Sequence, residues 1–142
     1  MTISIDVEER VARPAHEVWT HLTDWSRAPT WMRGIDSMTA SGPTAIGTTL
    51  AFATRGKTRT SEITRLVPGR EVTLTSQQGP VSASYTYSCA ADGDGTRLRL
   101  VADCEIRGPL RLLGPLLRVA IRRTDGGQLR DLRQLLERGG SA

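Results

Sequence analysis

Three polar side chains, Arg59, Tyr85 and Tyr87, fall at positions whose two-residue alternation otherwise carries apolar groups. Arg59 shares its parity with Ser61 and Ile63, and the tyrosines share theirs with Val81, Ala83 and Cys89. A buried phenol or guanidinium needs a partner, because leaving it unsatisfied costs about 1–3 kcal/mol. Facing a ligand, either group could polarise a carbonyl, and a carboxylate or histidine could then move a proton from an adjacent carbon. Glu9 shares parity with Val7 and Val11, so it is expected inward, near the first helix and paired with an arginine.

Other chemistries find little support. His16 and His21 lie on one predicted helix but point about 140° apart. They cannot share a metal there, and His21 with Asp24 or Glu17 makes an incomplete set, so both read as surface residues. Cys89 and Cys104 are too few for a disulfide framework and fit no zinc spacing; they read as small buried apolar residues. No Ser-His-Asp arrangement or nucleophile elbow stands out. The glycine stretches TAIGTTL and DGDGTR do not open a helix, as a phosphate loop would. Neither a metal nor a cofactor is expected.

The elements that must position these groups come in a clear order. Ile3, Ile5, Val7 and Val11 alternate with Ser4, Asp6, Glu8 and Arg10, which predicts a half-buried strand. Pro14 stops it and starts a short helix over Pro14–Thr23, with Val18 and Leu22 on one face. A second helical turn is expected over Trp25–Met32. Six more strands follow over Ile35–Ala40, Thr48–Arg55, Thr58–Val67, Glu71–Ser76, Val81–Ala90 and Thr96–Ile106, divided by turn signals such as RGK, PGR and DGDG. After Gly108 the period changes. Leu110, Leu113, Leu117, Ala120 and Ile121, then Leu129, Leu132, Leu135 and Leu136, predict a long amphipathic helix ending at Gly139–Gly140.

A chain of 142 residues has the size of one domain, so residues 1–142 are read as one unit. The expected class is α+β: a seven-stranded curved antiparallel sheet gripping the long C-terminal helix, with two short helices after the first strand. A curved sheet covered by one helix leaves a cavity between them. The net charge of +4 is uneven, with residues 106–142 holding 8 arginines against Asp125, Asp131 and Glu137. Those arginines alternate with leucines as a solvated helix face does, and no aromatic platform accompanies them, so nucleic acid is not expected. RGPLRLLGPLLRVAIRR could lie on an anionic membrane, but its apolar face is already claimed by the sheet, so membrane contact is not expected either. The N-terminus lacks the pattern of a secretory signal, and the expected location is cytoplasmic.

The strand ending ERVARPAHEVW, the helix running into LTDWSRAPTWM, then ITRLVPGREVTL and the closing LRDLRQLLE together resemble the START-related helix-grip superfamily (SRPBCC). The similarity lies with its polyketide cyclase/dehydratase and lipid-transport branch and spans nearly the whole chain. It implies that the helix begun at Pro14 caps one end of the sheet and is anchored by Trp19. It further implies that Trp25–Trp31 folds over a pocket mouth, with Trp31 near the cavity. The resemblance identifies a fold better than a function.

The resulting expectation is a protein that binds a small hydrophobic molecule, lipid- or polyketide-like, between sheet and helix. The pocket residues are Trp31, Phe52, Arg59, Ile63, Leu74, Tyr85 and Tyr87, with Leu117, Ile121 and Thr124 from the helix. One alternative is a polyketide cyclase or aromatase with Tyr85 or Arg59 as the electrophilic group. Another is a protein-interaction module resembling activators of heat-shock ATPases. A homodimer is compatible with any of these readings.

Overall fold

The computed structural model describes residues 2–32, 35–54, 56–78, 81–106, 108 and 128–139. Seven strands form one antiparallel sheet: β1 (Thr2–Val11), β2 (Ser37–Ala40), β3 (Thr49–Thr54), β4 (Lys57–Val67), β5 (Glu71–Gln78), β6 (Val81–Asp92) and β7 (Gly95–Ile106). Their order is β1-β7-β6-β5-β4-β3-β2, so the first and last strands pair and every other neighbour is a hairpin. Between β1 and β2 come helix α1 (Ala15–Leu22) and a 3-10 helix (Trp25–Thr30). Helix α2 (Gln128–Gly139) closes the described chain. This is the expected class, with a C-terminal helix set against a curved antiparallel sheet.

Local chemistry explains these boundaries. Pro14 lies at the N-cap of α1 with φ −60° and ψ 149°, so the helix begins at Ala15, one position after the expected start at Pro14. Its carbonyl accepts from the amides of Glu17 and Val18. Pro29 sits inside the second helix, where its missing N–H is tolerated by a short 3-10 turn. Gly69 and Gly93 occupy the turns after β4 and β6 at φ 78° and 62°, a region that L side chains rarely adopt. The register of β4 and β5 shifts between Ile63 and Arg65, so Ile63 pairs Leu74 while Leu66 pairs Val72. Such a bulge sharpens the local twist and bends the strand.

One face of the sheet is apolar. Val11, Leu50, Ile63, Val72, Tyr87, Cys89, Leu98 and Leu100 form the main core with Val18 and Leu22 of α1, Trp25, Ala28 and Trp31 around the 3-10 helix, and Leu129, Leu132 and Leu136 of α2. A second cluster, Ile3, Cys104 and Ile106, lies nearer the other end of the sheet, with Val81 and Ala83 against it. The outer face is polar. There Arg99 donates to Asp6, which holds the Asp6 carboxyl below the usual carboxylate range, and Thr73 shares a 2.9 Å bond with Thr86. No described helix is long and apolar enough to cross a membrane. The expected helical stretch from Leu110, including Pro115 and Gly126–Gly127, lies outside the described residues up to Gln128, as does the RGPLRLLGPLLRVAIRR segment apart from Gly108.

Candidate functional site

The inward side chains form cross-strand rows. Val7, Leu100, Tyr87, Val72 and Leu66 make one, and Ile5, Ala102, Tyr85, Leu74 and Ile63 the next. A third runs through Ile3, Cys104, Ala83 and Ser76. The first row holds Tyr87, at 2% exposure, Leu100 and Val72, both at 0%, between the partly exposed Val7 and Leu66 at its ends. The third begins with the buried Ile3 and Cys104, against which Ala83 packs, and Ala83 and Ser76 remain partly exposed although they point inward, as does Tyr85 in the second row.

Two elements reach over the first row. Trp31 follows the 3-10 helix, and its backbone N–H donates to Ala28 O at 3.1 Å. Its indole stands edge-on to Tyr87, with ring centroids 5.8 Å apart and planes at 89°. From α2, Gln128 accepts the Tyr87 hydroxyl at Oε1 over 2.7 Å. All three residues are buried, at 2%, 2% and 5% exposure. The Trp31 Nε1–H has no hydrogen-bond partner among the described residues. Trp25 is also buried, but its Nε1–H donates to Thr44 Oγ1 at 3.0 Å, and Trp19 is a half-buried packing residue against the core.

Trp31, Ile63, Leu74, Tyr85 and Tyr87 therefore come together through adjacent rows and the segment above them. Phe52 and Arg59 are cross-strand partners on β3 and β4, both half-buried, with Met38 beyond Phe52. Arg59 stands four positions from Ile63 along β4, about 13 Å at strand rise. Leu117, Ile121 and Thr124 lie outside the described residues. Gln128 was missed by sequence reasoning although it carried a signal: it precedes Leu132 by four and so shares its helical face. Glu9 pairs with Arg133 of α2, Nη1 to Oε2 at 2.9 Å, both side chains partly buried, so the inward carboxylate docks the closing helix.

The histidines stand apart from these rows. His16 and His21 border an open cleft of about 610 Å³ between α1 and α2, together with Arg13, Glu17, Arg27 and Leu136. Burial and the nearby Arg27 push the His21 pKa below its ordinary 6.5, against a smaller opposing effect of Asp24. Cys89 and Cys104 are buried free thiols, and burial pushes Cys89 up to about 12. The register sets Cys89 against Leu98 and Cys104 against Ala83, which separates them along the sheet. Among the described residues, no three His, Cys, Asp or Glu side chains gather as a metal site would need.

A sheet with this strand order, clasped against a C-terminal helix and capped by short helices after β1, defines a helix-grip protein of the START-related superfamily. Within that class the chain belongs to the polyketide cyclase / dehydrase and lipid transport family, whose profile matches residues 2–137. No curated protein matches its sequence. Among solved structures it is similar to the Zhui aromatase/cyclase from Streptomyces sp. R1128, at 18% identity and TM-score 0.80, covering 97% of this chain and 95% of that one. A START superfamily protein from Mycobacterium smegmatis is similar at 17% identity and TM-score 0.78, covering 95% and 97%. The di-domain ARO/CYC StfQ of the steffimycin biosynthetic pathway aligns at 14% identity and TM-score 0.77 over 100% of this chain, which spans 53% of StfQ. At these identities the likeness is one of fold.

Proposed function

We propose that the protein binds a small, mainly hydrophobic molecule between the inner face of its sheet and the C-terminal segment. The observation that carries this reading is that Ala83, Ser76 and Tyr85 point inward yet stay partly exposed, on the same face as the sealed Tyr87 and Leu100. A face packed only for stability buries its inward side chains, since interiors reach crystal-like density. Trp31, Phe52, Ile63, Leu74 and Tyr87 supply the apolar wall, and Tyr85 and Arg59 the few polar groups that orient a ligand. Native mass spectrometry of protein from its own host, followed by solvent extraction, tests this. A co-purifying apolar or ketide molecule supports it. A clean apo mass, with no shift of melting temperature across a lipid and polyphenol panel, overturns it in favour of an interaction module.

A cyclase or aromatase is the second reading, favoured by the half-buried, inward Tyr85 and Arg59 and by the family's description. The spacing of Arg59 from the Tyr85 row suits two oxygens of one extended poly-ketone better than a single carbonyl. Turnover that fails in Tyr85→Phe or Arg59→Leu supports this reading. Identical products from wild type and both variants exclude it.

A further inference from the structure

Trp31 is 2% exposed, and its indole N–H is shut off from solvent without a hydrogen-bond partner among the described residues. The other fully inserted indole behaves differently, since Trp25 donates to Thr44. Buried donors in folded proteins are nearly always satisfied, so a stranded one calls for a function. The edge contact with Tyr87 offers only an aromatic face, a far weaker acceptor than an oxygen. Tyr87 already directs its own hydroxyl to Gln128, so the surroundings of the indole contain a fixed polar pair and one unspent donor.

We infer that Trp31 Nε1–H is the donor that reads an oxygen on the bound molecule, so the pocket selects apolar ligands carrying a carbonyl or ether acceptor over pure hydrocarbons. This rests on the hydrophobic-pocket reading above and adds to it a class of ligand and the atom that recognises it. The N–H is closed to solvent, so the acceptor reaches it as the ligand's ring system turns the indole away from Tyr87. The backbone need not move, because the Trp31 amide stays bonded to Ala28 O. The aromatic contact given up is worth less than a buried donor left unpaired, so the exchange favours an oxygen-bearing ligand. A hydrocarbon of the same shape pays for the displacement and gains no bond.

Fluorenone and fluorene form the test pair, being matched in shape and differing by C=O against CH2. The wild-type chain is expected to bind fluorenone roughly three- to tenfold more tightly, the span of one net hydrogen bond, and Trp31→Phe is expected to bring that ratio to about one. In 15N-labelled wild type, the Trp31 indole N–H resonance should move downfield with fluorenone and not with fluorene, while that of Trp25 stays in place. This arm needs no variant and stands even if Trp31→Phe folds poorly. Equal binding of the two probes, or a preference that survives Trp31→Phe, overturns the assignment and leaves the pocket reading intact. Binding of neither probe by wild type overturns the pocket reading and the assignment with it.

Discussion

Tyr87 on β6 and Gln128 at the start of α2 are 41 residues apart in the chain and meet in one buried hydrogen bond of 2.7 Å. Tyr87→Phe keeps the ring and the contact with Trp31 but removes the donor to Gln128 Oε1. We expect a loss of about 1–2 kcal/mol with the fold preserved. Urea unfolding with an unchanged m-value and a lower midpoint checks it; an unchanged midpoint would show that the bond adds nothing.

Glu9 and Arg133 join the first strand to the last helix at 2.9 Å, with side-chain exposures of 26% and 34%. This shielding is partial, so a double-mutant cycle with Glu9→Gln and Arg133→Met should give a coupling of about 0.5–1 kcal/mol, reduced at high salt. A coupling of zero would leave the docking of α2 to its leucines and the Tyr87–Gln128 bond.

The Cys89 thiol, pushed up to about 12 by burial, holds almost no thiolate at pH 8. Thiol reagents should therefore label it only through opening of the sheet. Labelling of native protein should be slow and should accelerate with sub-denaturing urea. Rapid native labelling at Cys89 would contradict its placement against Leu98.

His21 titrates below its ordinary value of 6.5 in the folded chain, so around pH 6 the unfolded state binds more protons there. Its contribution to stability is complete above 6.5, falls as pH drops toward the depressed folded value, and is lost below it. His21→Gln should flatten the stability profile between about pH 5 and 7. NMR titration should place His21 below 6.5 and should show its midpoint rising in Arg27→Gln.

Gly95 opens β7 against the end of β1, where an added Cβ would lie 2.6 Å from the Val11 carbonyl oxygen. The pairing of Val11 with Thr96 fixes that oxygen. Gly95→Ala should cost more than about 2 kcal/mol, visible as a lower melting temperature. A melting temperature equal to wild type would mean that the strand ends separate freely.

The strands were readable from two-residue alternation and from the turn signals that divide them, most clearly in the run from Ile3 to Val11 before Pro14. The inward set on β6 and β7 followed from the same parity. What escaped was tertiary. The bulge between Ile63 and Arg65 has no local signature, since TRLV continues the strand composition across it. The bond from Trp25 to Thr44 joins a helix to a loop that no periodicity connects. Gln128 shares a helical face with Leu132, and only the position of Tyr87 across the core turns it into a hydrogen-bond partner.

The pairing of β1 with β7 sets Thr2 opposite Glu105, so the sheet closes only when its last strand is in place. At synthesis rates of roughly 5–20 residues per second, β1 waits on the order of 5–20 s for its partner. Throughout that interval Ile3, Ile5, Val7 and Val11 lack the β7 partners they have in the finished sheet. Asp6, Glu8 and Arg10 on the opposite face keep the waiting strand hydrated and discourage its stacking with other nascent chains. Asp6 and Arg10, which pair with Arg99 and Asp92 in the finished sheet, are without those partners until then, and neutralising them should first appear as loss of yield during expression.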